Sequence, residues 1–149
     1  KTISTIAKPI SHQGKLHFVI LGKDKKIYCI PHGSESVILK YDPQTNIFRR
    51  FTNFETIVNQ GGFWGGALGA DGKLYLCPEG YPYFVCIDTE KESFEIIEQP
   101  IVGYGEGHMR GLVLAPNGNL YTDVSFTNRV HKLDTFPKSV DFQKYLLLP

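Results

Sequence analysis

The stretch FWGGALGADGKLY (63–75) sets four glycines beside a lysine and the chain's single tryptophan, a composition that suits a loop wrapped around a phosphate. The spacing does not fit. The pattern G-x-x-x-x-G-K-[ST] needs four residues between its glycines, where five separate Gly66 from Gly72, and a hydroxyl where Leu74 stands. GYGEGH (103–108) reads G-x-G-x-G and is no dinucleotide fingerprint. The five histidines, His12, His17, His32, His108 and His131, show no short metal-type spacing. A metal site would have to be assembled from distant parts of the chain, with Glu106 and His108 as weak candidates and no ligand set assigned. Asp42, Asp88 and Asp134 look at first like a ring of carboxylates, but each closes an apolar segment ahead of Pro or Thr, where an Asx turn is the ordinary use. EGYPYF (79–84) places Tyr81, Tyr83 and Phe84 in a loop that could recognise a peptide or sugar, or could simply pack. There is no G-x-S-x-G elbow and no Ser/His/Asp or Cys/His pairing marked by spacing, so no catalytic residue is assigned.

Composition narrows the classes further. The 149 residues carry a net charge of +1, which gives no footprint for nucleic acid or an anionic membrane surface. No apolar run approaches a membrane span. Cys29, Cys77 and Cys86 are odd in number and sit among alternating apolar residues, so buried free thiols are expected, which favours a reducing compartment. No N-x-[ST] sequon or secretory signal pattern is present, the first residue is Lys, and no cofactor is implied.

What must position these residues is a repeat. KDKKIYCIP (23–31), ADGKLYLCP (70–78) and PNGNLYTDV (116–124) align with Asp24, Asp71 and Asn117 in register at intervals of 47 and 46. Tyr28, Tyr75 and Tyr121 keep step, and Asp42, Asp88 and Asp134 follow at 46 and 46. Each unit holds four short segments of strand character separated by turn formers; in the second they are 64–68, 73–77, 84–88 and 94–98. Asp71-Gly72 and Asn117-Gly118 suggest tight two-residue hairpin turns with positive φ at both central positions, and Asp24-Lys25 implies that the first turn differs or is strained. Four antiparallel strands every 40–50 residues is the period of a β-propeller blade. On that frame Gly72 is a turn residue, while Gly65, Gly66 and Gly111 lie on innermost strands where backbones crowd. His17, Trp64 and Arg110 occupy one equivalent place at the start of the innermost strand, where an imidazole, an aromatic platform and a cation could converge on a ligand or merely fill the channel mouth.

LAPNGNLYTDVSFTNRVHKLD (114–134) resembles one repeat of the NHL and virginiamycin-lyase-like propellers. GGALGADGKLYLCP…VCIDTE and KKIYCIPHGSESVILKYDPQT resemble a divergent set of tandem propeller repeats. The resemblance covers roughly residues 14–134 and implies blades rather than an activity, because such propellers serve as enzymes, lectins and binding platforms. Virginiamycin-type lyases use a metal with His and Glu at the channel mouth, and only Glu106 and His108 lie near a matching place.

The expected fold is therefore all-β: three four-stranded propeller blades at about 14–60, 61–106 and 107–149, with 1–13 holding the outer strand of a preceding or closing blade. FQKYLLLP (142–149) reads as the outer strand of the third blade. Closed propellers need about four to eight blades, so three imply a piece of a longer propeller, a ring completed by another copy, or an array covered by a partner. The leading functional expectation is a non-catalytic binding or structural module acting through protein–protein contact. A metal-dependent lyase or lactonase-type enzyme and a carbohydrate-binding propeller are the alternatives.

Overall fold

The computed structural model describes residues 2–6, 15–32, 37–51, 62–79, 83–97, 109–124 and 128–135. These form eleven strands and no helix. The first sheet is β1 (Lys15–Leu21), β2 (Ile27–His32), β3 (Leu39–Asp42) and β4 (Ile47–Arg50), paired in that order. The second is β5 (Phe63–Leu68), β6 (Leu74–Pro78), β7 (Phe84–Asp88) and β8 (Ser93–Ile97), and the third is β9 (Val113–Leu114), β10 (Leu120–Asp123) and β11 (Val130–Leu133). Every pairing is antiparallel. The expected strands of the second unit fall within a residue of those observed. The expected outer strand at 142–149 lies outside the described residues, and residues 2–6 are exposed and outside the three sheets.

The turn after each innermost strand is built once and reused. The Gly22 N–H donates to the Lys26 carbonyl at 2.9 Å and the Lys25 N–H to the Gly22 carbonyl at 3.0 Å. Gly69, Gly72 and Lys73 repeat those bonds at 2.8 and 2.9 Å, and Ala115, Gly118 and Asn119 do so at 3.0 and 2.8 Å. Only the last turn residue has positive φ: Lys25 at 61°, Gly72 at 83° and Gly118 at 78°. The expected two-residue turn is thus replaced by a three-residue loop ending in a left-handed residue. The acidic or amide side chain explains why. Asp71 Oδ1 accepts the Lys73 N–H (3.1 Å) and Oδ2 accepts the Tyr75 hydroxyl (2.8 Å), so Asp71 braces the loop from a right-handed position. Asp24 binds the Lys26 N–H and Tyr28 in the same way, and Asn117 binds the Asn119 N–H while its amide donates to Tyr121. The first turn therefore does not differ from the others; Lys25 adopts the conformation that glycine takes in the other two.

Alternation along the strands gives each sheet two faces. The front face of the first sheet meets the rear face of the second around Ile20, Tyr28, Ile30, Phe63, Leu74, Leu76 and Ile87, all buried. The front face of the second meets the rear of the third through Tyr75, Cys86 and Leu120, and through Cys77, Phe84, Met109 and Val124. Lys40 crosses the first joint, 3.0 Å from Asp24 and 3.3 Å from Glu92. The innermost strands β1, β5 and β9 contact one another in sequence. Gly65 makes the closest approach possible: a Cβ there would lie 2.5 Å from the Arg110 carbonyl oxygen.

Candidate functional site

The strands bring His17, Trp64 and Arg110 together at one end of the sheets. His17 and Trp64 lie near the start of β1 and β5, and Arg110 lies three residues before β9; the contact of β1 with β5 and of β5 with β9 sets them side by side. Trp64 is the centre. The His17 ring stands edge-on to it at 5.7 Å, 79° between planes, and the Arg110 guanidinium lies 5.5 Å from its ring centroid. That guanidinium is placed for cation–π attraction, which depends on a held geometry.

Two further residues belong to the cluster and were not singled out in the sequence. His32, at the end of β2, lies 5.1 Å from the His17 ring and 5.2 Å from Trp64. Glu79, just past β6, sits 4.0 Å from His32 Nδ1. A signal for both existed: extending the aligned segments CIP and LCP by one residue reaches His32 and Glu79, which are repeat equivalents 47 apart.

Backbone chemistry fixes the role of one imidazole. His17 Nδ1 lies 2.9 Å from the Phe63 carbonyl oxygen, which can only accept, so Nδ1 carries the proton and the neutral ring presents Nε2 as an acceptor. His17 is exposed, so Nε2 can take a donor from a ligand. Trp64 Nε1, a donor only, and His32 Nδ1 are buried without a hydrogen-bond partner among the described residues. The site thus combines an aromatic plate, a fixed cation, an oriented acceptor and a carboxylate at its margin.

The other candidates fall elsewhere. Phe84 is 4% exposed and packs with Cys77 and Met109, and Tyr83, partly buried, packs against the first core; Tyr81 lies outside the described residues. Glu106 and His108 also lie outside them, and among the described residues no three His, Cys, Asp or Glu side chains are grouped to hold a metal. Asp42 and Asp88 do close Asx turns, accepting from the Gln44 N–H at 2.9 Å and from the Glu90 and Lys91 N–H groups at 3.0 Å. Hydrogen bonding to Lys26, then to the Gln44 N–H, holds the Asp42 carboxyl down at about 2. Asp134 pairs with Lys132 at 2.9 Å. The three cysteines are buried free thiols, and burial pushes Cys77 and Cys86 up to about 12.

Three antiparallel sheets repeating every 46–47 residues, with successive innermost strands in contact, define β-propeller blades. Solved structures carry the same architecture. The chain resembles a catalytically inactive His-to-Ala variant of virginiamycin B lyase from Staphylococcus aureus crystallised with quinupristin: TM-score 0.65, 13% identity, 85% of this chain and 40% of that one. It also resembles the extracellular domain of a one-component system from B. thetaiotaomicron (TM-score 0.64, 11% identity, 87% and 17%). A luciferin-regenerating enzyme matches at TM-score 0.52 and 19% identity, over 86% and 41%. The chain thus spans less than half the length of each, and at these identities the likeness is one of fold. Comparison with family models and with curated protein sequences returns no match.

Proposed function

We propose that the chain is a non-catalytic binding and structural module of propeller type, acting through protein–protein contact, with His17, Trp64 and Arg110 as its contact centre. The observation that carries this reading is the stacking of Arg110 over Trp64 beside the oriented His17 ring at the converging ends of the innermost strands. Tryptophan and arginine held against each other are the residue types that dominate binding energy at the centre of protein interfaces. The Arg110 guanidinium can pair with a carboxylate of a partner segment, and main-chain N–H groups of the same segment can donate to His17 Nε2.

Trp64 is the only tryptophan, so its fluorescence reports this face alone. Short acidic peptides should shift its emission saturably, and Arg110→Ala should weaken that response at least tenfold while leaving the far-ultraviolet spectrum unchanged. Neutral and acidic peptides giving the same flat response would overturn the assignment.

A second reading is an enzyme of lyase or lactonase type, since two of the similar structures are named as enzymes. It predicts a stoichiometric divalent metal in the purified protein, lost on replacing Glu106 or His108. A saccharide-binding propeller predicts instead a Trp64 response to glycans and none to acidic peptides.

A further inference from the structure

The contact cluster holds a carboxylate that packing does not explain. The Glu79 N–H donates to the Gly62 carbonyl at 2.9 Å, and Glu79 Oε2 accepts the Gly62 N–H at 3.5 Å. Gly62 stands two residues before Trp64, so both bonds hold the carboxylate at the start of the strand that carries the indole. Little within the described residues answers its charge. His32 Nδ1 is 4.0 Å away, beyond hydrogen-bond reach, and has no other partner among them. Across the strand pair Glu79 faces Gly62, which has no side chain. The equivalent pair of the first sheet is Lys15 with His32, a cation across from an imidazole, and no ion pair joins Lys15 to Glu79 among the described residues. The second sheet thus sets an acid where the residue opposite cannot neutralise it, and its side chain is 34% exposed.

We propose that Glu79 selects the charge pattern of the partner: an extended segment bearing one acidic and one basic side chain on the same face, the carboxylate toward Arg110 and the cation toward Glu79. This assignment rests on the contact centre proposed above and adds to it the second charge. Sheet order separates the two ends. His32 belongs to the first sheet and Arg110 leads into the third, so they flank Trp64 of the second, 5.2 and 5.5 Å from its ring, and Glu79 stands on the His32 side. In an extended segment alternate residues share a face and lie about 7 Å apart. Side chains two residues apart therefore straddle the indole, and the methylene stem of the basic one can lie along the ring. A segment with two acids sets its second carboxylate against Glu79, and that repulsion discriminates as much as the attraction does. Because Glu79 is partly exposed, the selection is modest, about two- to fivefold at low salt.

The test uses short, end-blocked, otherwise uncharged peptides carrying Glu-Thr-Lys, Glu-Thr-Gln or Glu-Thr-Glu, with Lys-Thr-Glu to cover the reverse direction. Binding is read from Trp64 emission at pH 8, above the ordinary imidazole range. The better of the two dipolar peptides should bind about two- to fivefold more tightly than Glu-Thr-Gln, and Glu-Thr-Glu more weakly than Glu-Thr-Gln. Molar salt should close both gaps. Glu79→Gln, which keeps an acceptor for the Gly62 N–H, should bind the peptides alike. The peptide series on the unaltered protein stands by itself should that variant misfold. Equal binding of all the peptides by the unaltered protein, or a preference that survives Glu79→Gln, overturns the charge selection and leaves the contact centre standing. Peptides that all fail to shift Trp64 emission remove the contact centre, and this assignment with it.

Discussion

Lys25 is the sharpest test of how this fold is specified. Three loops share the same backbone bonds, and their last residue has φ of 61°, 83° and 78°, yet the first carries lysine where the others carry glycine. A left-handed conformation costs a side-chain-bearing residue about 1–2 kcal/mol. Glycine escapes that cost but loses more freedom on folding, which returns about 0.5–1 kcal/mol to the unfolded chain. Lys25→Gly should therefore stabilise the protein by about 0.5–1 kcal/mol. For a chain of this size that is a rise in Tm of about 2–3 °C. Urea unfolding followed by Trp64 emission, at one fixed protein concentration, should show a higher midpoint with an unchanged slope. Lys25→Ala keeps the strain while removing the charge, so it should give no gain. Gly72→Lys should lose about as much as Lys25→Gly gains, or more, since its Cβ must also displace the Lys23 side chain 2.5 Å away. If Lys25→Gly is neutral or destabilising, or if Lys25→Ala matches it, the loops are not equivalent and the reasoning fails.

The other expectations concern the joint, the turns and the thiols. Gly65→Ala forces a methyl against the Arg110 backbone, which cannot rotate away, and should cost about 1–3 kcal/mol in urea unfolding; Gly111→Ala, whose Cβ would meet only Asp123 Oδ1 at 3.7 Å, should cost nothing measurable. Asp42 has its folded-state pKa lowered from 3.8 to about 2, so the stability it contributes is fully present above pH 4 and lost as the pH falls toward 2. Asp88 is lowered too, first by the Lys91 N–H, so Asp42→Asn should shallow the acid limb of a pH–stability curve without abolishing it; an unchanged limb sinks this account. Iodoacetamide at pH 8 should leave Cys77 and Cys86 unlabelled in the native protein and modify them as urea unfolds it, read by mass spectrometry. Labelling at a free-thiol rate without urea would show that the blade joint opens.

The architecture was legible because a repeat multiplies weak evidence. One Asp or Asn followed by Tyr four residues later says little, but three such pairs at intervals of 47 and 46 place three hairpins, and the structure hydrogen-bonds the two side chains of each pair. The turn type was not legible. An Asp-Gly pair reads as a two-residue turn only when both residues go left-handed, and here Asp71 spends its carboxylate on the Lys73 N–H and on Tyr75, which holds it right-handed. His17, Trp64 and Arg110 could be placed together because they share one repeat position. His32 and Glu79 could not be joined to them as readily, because proline ends the recognisable motif one residue earlier, at Pro31 and Pro78. The inward packing of Phe84 could not be read from EGYPYF, since an aromatic beside proline suits an exposed loop and a strand's first buried residue equally well.

That contrast also says where chemistry can reside in such a fold. At the brace position the three units keep Asp, Asp and Asn, because the turn needs an acceptor that reaches a backbone N–H two residues on. At the head of the innermost strand the same geometry carries His, Trp and Arg, three side chains that share neither charge nor shape. The strands place a cation and an imidazole each within 6 Å of one indole ring, and beside them the Trp64 indole N–H and His32 Nδ1 are buried without hydrogen-bond partners among the described residues. Unpartnered buried polar atoms cost about 1–3 kcal/mol each. Trp64→Phe, which removes the indole N–H but keeps a ring, should therefore leave stability unchanged or raise it while weakening the peptide response. A variant that loses stability and keeps that response would assign Trp64 to packing alone.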